Sequence, residues 1–463
     1  MRSLLLGLAL LIAFVSPVSA QEQKIPFGRF GTVTVYSESA HPKHVVLFVS
    51  GDGGWNLGVV DMARALTSLD ALVIGIDITH YLRELAKGTA RCSYPPGDLE
   101  ALSHYIQKKL GFTHYVPPVL VGYSSGATLV YTTLVQSPPG TFQGAISLGF
   151  CPDLPLHKPM CRGYGLESHF REKPKGYVFS PSQEMEAPWI ILHGTIDQVC
   201  DLNVVKQFVS HVKNAELVVL PKVGHGFSVQ RHWMPQFKEA FQRIVATPLP
   251  GNAPIPGDLQ DLPLVEVPAQ GTDDTLAVLV TGDGGWAGID KELAAALSKE
   301  GIPVVGLNSL QYFWSPRTPD SAAKDLERIL RHYLSTWEKH RILLVGYSFG
   351  ADVLPFMVSR LPSDLQARIE LLTLLGPSRD AHFEFHVSDW LGGGASKEEH
   401  PVLPEIRKLS ANTAILCVYG QDDKNSVCTD LSKDPVSIKE VPGGHHFGGD
   451  YERLAHEILA HMK

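Results

Sequence analysis

The chain carries no surplus of positive charge. Its 40 Lys and Arg are outnumbered by 48 Asp and Glu, for a formal net charge of −8. No basic stripe runs along it, which excludes the electrostatic footprint of a nucleic-acid binder. Long hydrophobic runs are scarce as well. The apolar run from Leu4 to Val15 falls short of the roughly 20 residues needed to cross a bilayer, and no later stretch is long and apolar enough to do so. Arg2 before that run and Val18-Ser19-Ala20 after it give residues 1–20 the form of a cleavable export signal. No cysteine follows the cut to carry a lipid, so the mature protein is expected to be soluble and exported. Cysteine is rare, six residues in 463, and in an exported chain these are candidates for disulfides. If each half pairs internally, Cys92, Cys151, Cys161 and Cys200 admit three pairings, and Cys417 and Cys428 must pair with each other when all six are bridged. None of the six stands in a nucleophile motif.

One multi-part pattern is written twice. The first copy has VLFVSGDGGW at 46–55, LVGYSSG at 120–126, HGTID at 193–197 and VGHGF at 223–227. The second has VLVTGDGGW at 278–286, LLVGYSFG at 343–350, YGQDD at 419–423 and GGHHF at 443–447. The order in both is a glycine-rich turn, a Ser in G-x-S-x-G, an Asp and a His, which is the chain order of an α/β-hydrolase triad. An in-order second copy implies two related domains. The Pro- and Gly-rich stretch ATPLPGNAPIPGDLQDLP at 246–263 reads as the linker, leaving a first domain at 21–245 and a second at 264–463. In each, Val/Ile/Leu runs alternate with amphipathic stretches, predicting a mostly parallel sheet flanked by helices. In the first copy the runs fall at 44–50, 71–78, 118–124, 144–150, 189–194 and 215–221. In the second they fall at 276–282, 303–308, 342–348, 370–376, 414–420 and 436–442.

Both G-x-S-x-G motifs directly follow a Val/Leu run, the context of a nucleophile elbow, where a strand turns sharply into a helix and exposes the Ser. Ser348 and Ser124 are therefore the candidate nucleophiles. A serine hydroxyl needs a base within reach, and His445 and His225 stand where one is expected. His446 competes with His445, and aligning VGHGF on GGHHF selects His445, leaving His446 to pack or line the site. Asp423 and Asp197, each three residues past a strand-ending glycine, are placed to orient the imidazoles; Asp422 is the rival to Asp423. Oxyanion donors are expected at Phe349 and Ser125, the residues after each nucleophile, and around Asp283–Gly284 and Asp52–Gly53 in the glycine-rich loops. Those loops lack G-K-[ST], which argues against a phosphate-binding P-loop, and Trp55 and Trp286 are expected to pack them. No metal or organic cofactor is called for. In the second copy QYFWSPRTPD at 311–320 offers Tyr312 and Arg317 for substrate binding, and Asp352 follows Ser348 by four residues. Arg317 could take a phosphate in bidentate fashion and Asp352 could sense a cationic group, or cap the elbow helix. Pro355 should kink that helix or confine its regular part. FEFHVSDWLGGG at 383–394 reads as a lid, a lipid-contacting loop or an ordinary hairpin.

The second half resembles the VirJ/AcvB family of bacterial virulence proteins. The residues behind this are TGDGGW (281–286), YFW with RTP (312–319), VGYSFGADVLPF (345–356) and GGHHFGGDY (443–451). The signal followed by two halves is similar to the AcvB form, so the resemblance covers essentially the whole mature chain and is strongest after residue 262. It implies an α/β-hydrolase domain in the periplasm. It also implies hydrolysis of an aminoacyl phospholipid, notably lysyl-phosphatidylglycerol, at the membrane surface. The scissile bond is a carboxylic ester, so Ser348 chemistry would suffice. The first half departs from the pattern, with HYLRELAKGTARCSYPP (80–96) where YFW and RTP would fall. It could be a second active site or a docking domain. Two other readings stand beside this one: a general esterase or thioesterase, and a non-catalytic accessory that meets a secretion apparatus or another periplasmic protein. Two complete Ser-Asp-His sets count against a pure scaffold, which has no use for a general base.

Overall fold

The computed structural model of the chain describes residues 21–249, 257–271, 273–385 and 400–462. Each Val/Ile/Leu run forms a strand; helices cover both faces of the inner strands, while the two edge strands at Ala215–Leu220 and Ser437–Val441 stay partly exposed. The first domain holds β1 (Gln21–Pro26), β2 (Thr32–Ser37), β3 (His44–Val49), β4 (Ala71–Ile76), β5 (Val119–Tyr123), β6 (Gly144–Leu148), β7 (Trp189–Gly194) and β8 (Ala215–Leu220). They lie in the order β1-β2-β4-β3-β5-β6-β7-β8. The second domain holds β9 (Leu264–Val267), β10 (Thr275–Val280), β11 (Val304–Leu307), β12 (Arg341–Tyr347), β13 (Ile369–Leu375), β14 (Ile415–Gly420) and β15 (Ser437–Val441), in the order β9-β11-β10-β12-β13-β14-β15. From β4 to β8 and from β11 to β15 every pairing is parallel. The architecture is two tandem α/β-hydrolase-like domains.

The strand order places the chemistry. In each sheet it reverses direction at the strand that precedes the glycine-rich loop, with β3 beside β5 and β10 beside β12. Such a switch point opens a crevice at the carboxyl ends of the strands. The glycine-rich loop and the Ser therefore emerge side by side, and the Asp and His arrive from the ends of the next parallel strands. Apolar side chains pack on both faces of each sheet, giving two core layers per domain. The elbow helices, Ser125–Gln136 and Phe349–Val358, are buried along almost their whole length. Pro355 lies inside the second of these, whose regular part spans ten residues.

Three features depart from the sequence reading. Antiparallel strands β1, β2 and β9 extend the sheets at one edge; β1 is mostly polar, β2 alternates Thr with Val, and β9 has four residues, so no apolar run marked them. A small three-stranded sheet (Asp153–Leu154, Ser168–Arg171, Gly176–Phe179) stands beside the first domain's main sheet. The linker is shorter than 246–263. Leu259 and Leu262 are buried in the second domain's core, and Arg328 grips the Asp261 carboxylate at 2.7 Å and the Asp258 carbonyl at 2.5 Å. Residues 257–263 thus belong to the second domain, whereas 250–256 lie outside the described residues, as do the export signal at 1–20 and the 386–394 part of the aromatic, glycine-rich stretch.

Candidate active sites

Both serines sit on a turn that only their neighbours make feasible. Ser124 and Ser348 have φ of 55° and 51°, a left-handed conformation that L-residues adopt at a cost. The flanking glycines explain why the motif is spaced as it is. A Cβ on Gly122 would come 2.1 Å from the Gly126 carbonyl oxygen, and one on Gly350 would come 2.0 Å from the Val280 carbonyl oxygen. Strand, turn and helix are thus packed backbone to backbone, and the serine is the one side chain free to project.

The structure brings each predicted trio together. Ser348 Oγ lies 2.8 Å from His445 Nε2, and His445 Nδ1 lies 2.8 Å from Asp423 Oδ2. In the first domain Ser124 Oγ is 2.9 Å from His225 Nε2, and His225 Nδ1 is 2.8 Å from Asp197 Oδ2. Burial alone would push the Asp197 carboxyl up. Hydrogen bonds from the Cys200 N–H, from His225 and from the Val199 N–H outweigh that and hold it below the ordinary range. The rivals fall away: the backbone N–H of Asp422 donates to the Gly443 carbonyl, and the His446 ring meets the Tyr347 hydroxyl at 2.9 Å while lining the site.

Two residues that sequence reasoning missed make room for the imidazoles. Gly149 and Gly376 follow β6 and β13 with φ of 64° and 60°. A Cβ on Gly376 would come within 2.9 Å of His445 Cε1, and one on Gly149 within 3.2 Å of His225. The signal was present as a glycine ending the same strand run in both copies, GAISLG and ELLTLLG.

The expected oxyanion elements also flank each serine. The backbone of Ser125 and Phe349 begins the elbow helices, and Gly51 and Gly282 lie against the nucleophiles at the head of the Asp52–Gly53 and Asp283–Gly284 loops. The two copies differ here: the Ser125 hydroxyl donates to the Asp52 carboxylate at 2.6 Å. Trp55 and Trp286 pack beneath the loops, against the backbone of Gly75 and Gly306.

Three proposed substrate contacts need correction. Tyr312 is buried, and its hydroxyl donates to Asp325 at 2.6 Å. Arg317 stacks on the Tyr312 ring at 4.5 Å and donates to the Tyr312 carbonyl. Asp352 is buried, accepts the Ser378 N–H at 2.6 Å, and has its carboxyl pushed well up by burial. None of the three lines the cleft holding Ser348 and His445. Asp352 instead ties the elbow helix to the loop following Gly376.

The disulfides are Cys92–Cys161, Cys151–Cys200 and Cys417–Cys428, the last as expected and the first two resolving the open pairing. Asp197, His225 and the Cys200 sulfur come within 4.8 Å of one another, but a disulfide sulfur offers a metal no thiolate. Among the described residues, no helix is long and apolar enough to cross a membrane.

No curated protein matches the chain. Solved structures similar to half of it include the esterase domain of a Rhodothermus marinus protein (16% identity, 49% of this chain and 98% of that one, TM-score 0.33). Another is Est1E from Butyrivibrio proteoclasticus (13% identity, 49% and 99%, TM-score 0.33). A third is XC6422 from Xanthomonas campestris, a serine hydrolase without a lid (19% identity, 51% and 99%, TM-score 0.32). The model of the bacterial virulence protein VirJ matches residues 43–147 and 274–463, which is more than half of the chain and includes both nucleophile elbows. The chain belongs to the VirJ family of bacterial virulence proteins.

Proposed function

We propose that the protein is a periplasmic serine esterase that removes the aminoacyl group from lysyl-phosphatidylglycerol or a related aminoacyl phospholipid, with Ser348 as the nucleophile. The observation that carries this is the closed hydrogen-bond chain Asp423–His445–Ser348 at the edge of a cleft of about 1030 Å³. In the reaction, Ser348 Oγ attacks the ester carbonyl as its proton passes to His445 Nε2, with Asp423 stabilising the imidazolium. The carbonyl oxygen becomes an oxyanion facing the Phe349 N–H and the Asp283–Gly284 loop. Collapse expels the lipid's glycerol oxygen, which takes the proton from His445. Water, deprotonated by the same His, then attacks the acyl-enzyme; the bond to Ser348 Oγ breaks as His445 returns the proton to it, and the free amino acid is released. Carboxylates at Glu184, Asp283 and Glu292 on the cleft wall support a substrate whose acyl part is cationic. Three disulfides support residence in an oxidising compartment. The test is release of free lysine from lysyl-phosphatidylglycerol vesicles by wild type, Ser348→Ala, Ser124→Ala and the double variant. No release by folded wild type sinks the lipid-esterase reading and favours the secretion-accessory one.

The space beside His445 gives a sharper check on the mechanism. Gly376→Ala puts a methyl group where the imidazole edge lies and strains a left-handed backbone. A displacement of about 1 Å in a catalytic group costs about a hundredfold. The kcat for p-nitrophenyl acetate is therefore expected to fall by about that factor while KM changes little. An unchanged kcat would show that Gly376 does not position the base.

A further inference from the structure

The cleft beside Ser348 is not made by the second domain alone. One wall carries the Asp283–Gly285 loop, Ser348, His445 and His446, and the facing wall comes from the first domain, with Pro138, Arg162, Gly163, Tyr164, Gly165 and Glu184. The two are locked together at several points. Trp314 is almost wholly buried; its indole N–H donates to the Phe112 carbonyl at 2.8 Å, and its ring stacks on Phe385 beside Tyr115. Ser315 donates to the Thr113 carbonyl at 2.8 Å and Lys291 to the Pro139 carbonyl at 2.6 Å. The Tyr164 hydroxyl sits so close over Gly288 that a Cβ there would come within 2.9 Å of it.

Arg162 is the one Lys or Arg among the described residues lining this cleft. Its guanidinium has no hydrogen bond or ion pair among them, although Glu184, Asp283 and Glu292 share the cleft. Its backbone, by contrast, is firmly held. Cys161 next to it is bridged to Cys92. The Cys161 N–H donates to the Ser93 carbonyl at 2.8 Å, and its carbonyl accepts from Gln136 at 2.7 Å. Gly163, at φ 51°, lies against the Gln136 backbone. A fixed loop thus places the exposed Arg162, with no partner for its guanidinium among the described residues, in the lining of the catalytic cleft. A guanidinium matches a phosphate geometrically and electrostatically.

We propose that the first domain completes the second domain's active site, with Arg162 binding the phosphodiester of the substrate while its ester lies at Ser348. This rests on the reading of the cleft given above. It reassigns to the first domain the phosphate contact that the sequence suggested for Arg317.

The test is calorimetric titration of the full chain with dihexanoyl-phosphatidylglycerol, a short-chain form of the product left when the aminoacyl group is removed, kept monomeric so that no membrane surface contributes. It needs no turnover, so it is independent of whether lysyl-phosphatidylglycerol is hydrolysed, which the lysine-release assay decides separately. Arg162→Ala is expected to weaken binding about tenfold, equivalent to about 1.4 kcal/mol, and Arg162→Lys to recover part of it. Dihexanoylglycerol, which lacks the phosphate, should bind wild type and Arg162→Ala alike. Equal affinity of wild type and Arg162→Ala for the phospholipid, or no binding by folded wild type, overturns the proposal. Loss of dihexanoylglycerol binding as well would make Arg162 a structural residue and overturn it too.

Discussion

Ser348→Ala is expected to lower lysine release by a factor on the order of 10^6, while Ser124→Ala keeps at least about half of the wild-type rate. The first figure follows from the logic of a triad, in which removing the nucleophile costs about as much as removing the whole set. The asymmetry follows from the surroundings, since the two hydrogen-bond chains are nearly superimposable in length. In the first domain the Ser125 hydroxyl donates to the Asp52 carboxylate of the glycine-rich loop, a contact for which Phe349, the matching residue of the second domain, has no side-chain donor. The VirJ match in the first half also stops at residue 147, before Asp197 and His225. A large loss with Ser124→Ala and none with Ser348→Ala would reverse the assignment. Comparable partial losses with each would mean that both sites work.

Trp314→Ala is expected to destabilise the chain by about 3–5 kcal/mol, the usual cost of deleting a large buried aromatic side chain. The consequence should reach the cleft as well, because the partners lost are in the other domain: the Phe112 carbonyl and Tyr115. Lys108, which lies 5.0 Å over the indole ring and bonds to Glu384 at 3.2 Å, would lose its apolar platform. Glu100 of the first domain feels the same boundary. Burial, reinforced by Asp283 across the interface, pushes its carboxyl up to about 8. Differential scanning calorimetry should show a lower transition that begins to divide into two. The KM for lysyl-phosphatidylglycerol should rise while Ser348 still reacts with a fluorophosphonate probe. Trp314→Phe should restore part of the stability, and an unchanged transition in Trp314→Ala would refute this account of the interface.

The parallel strands and both trios were legible because each depends on local pattern. A strand covered on both faces must be continuously apolar, and an elbow must have glycines two residues either side of its Ser. What escaped the sequence was set by distant partners. Tyr312, Phe313 and Trp314 follow one another, yet Tyr312 turns to Asp325, Phe313 packs on Phe349, and Trp314 crosses to the other domain. No spacing rule separates those fates. Arg317 is consumed by its own neighbour Tyr312. Arg162, in CRGYG, had nothing in its local sequence to distinguish it from an ordinary surface arginine, because the wall it faces lies more than a hundred residues away in the chain.

The Cys92–Cys161 bridge has a consequence for where the protein can work. It holds the loop bearing Arg162, so on the proposed role of Arg162 the phosphate contact in the second domain's cleft depends on a disulfide formed in the first domain. A chain in a reducing compartment would carry its nucleophile but hold the Arg162 loop less firmly, and is expected to bind a phospholipid more weakly. Cys92→Ser together with Cys161→Ser should accordingly raise KM for lysyl-phosphatidylglycerol about as much as Arg162→Ala does, and leave p-nitrophenyl acetate hydrolysis unchanged. Wild-type KM in that double variant would break the link. In this arrangement a covalent bond in one domain tunes the substrate affinity of a serine in the other.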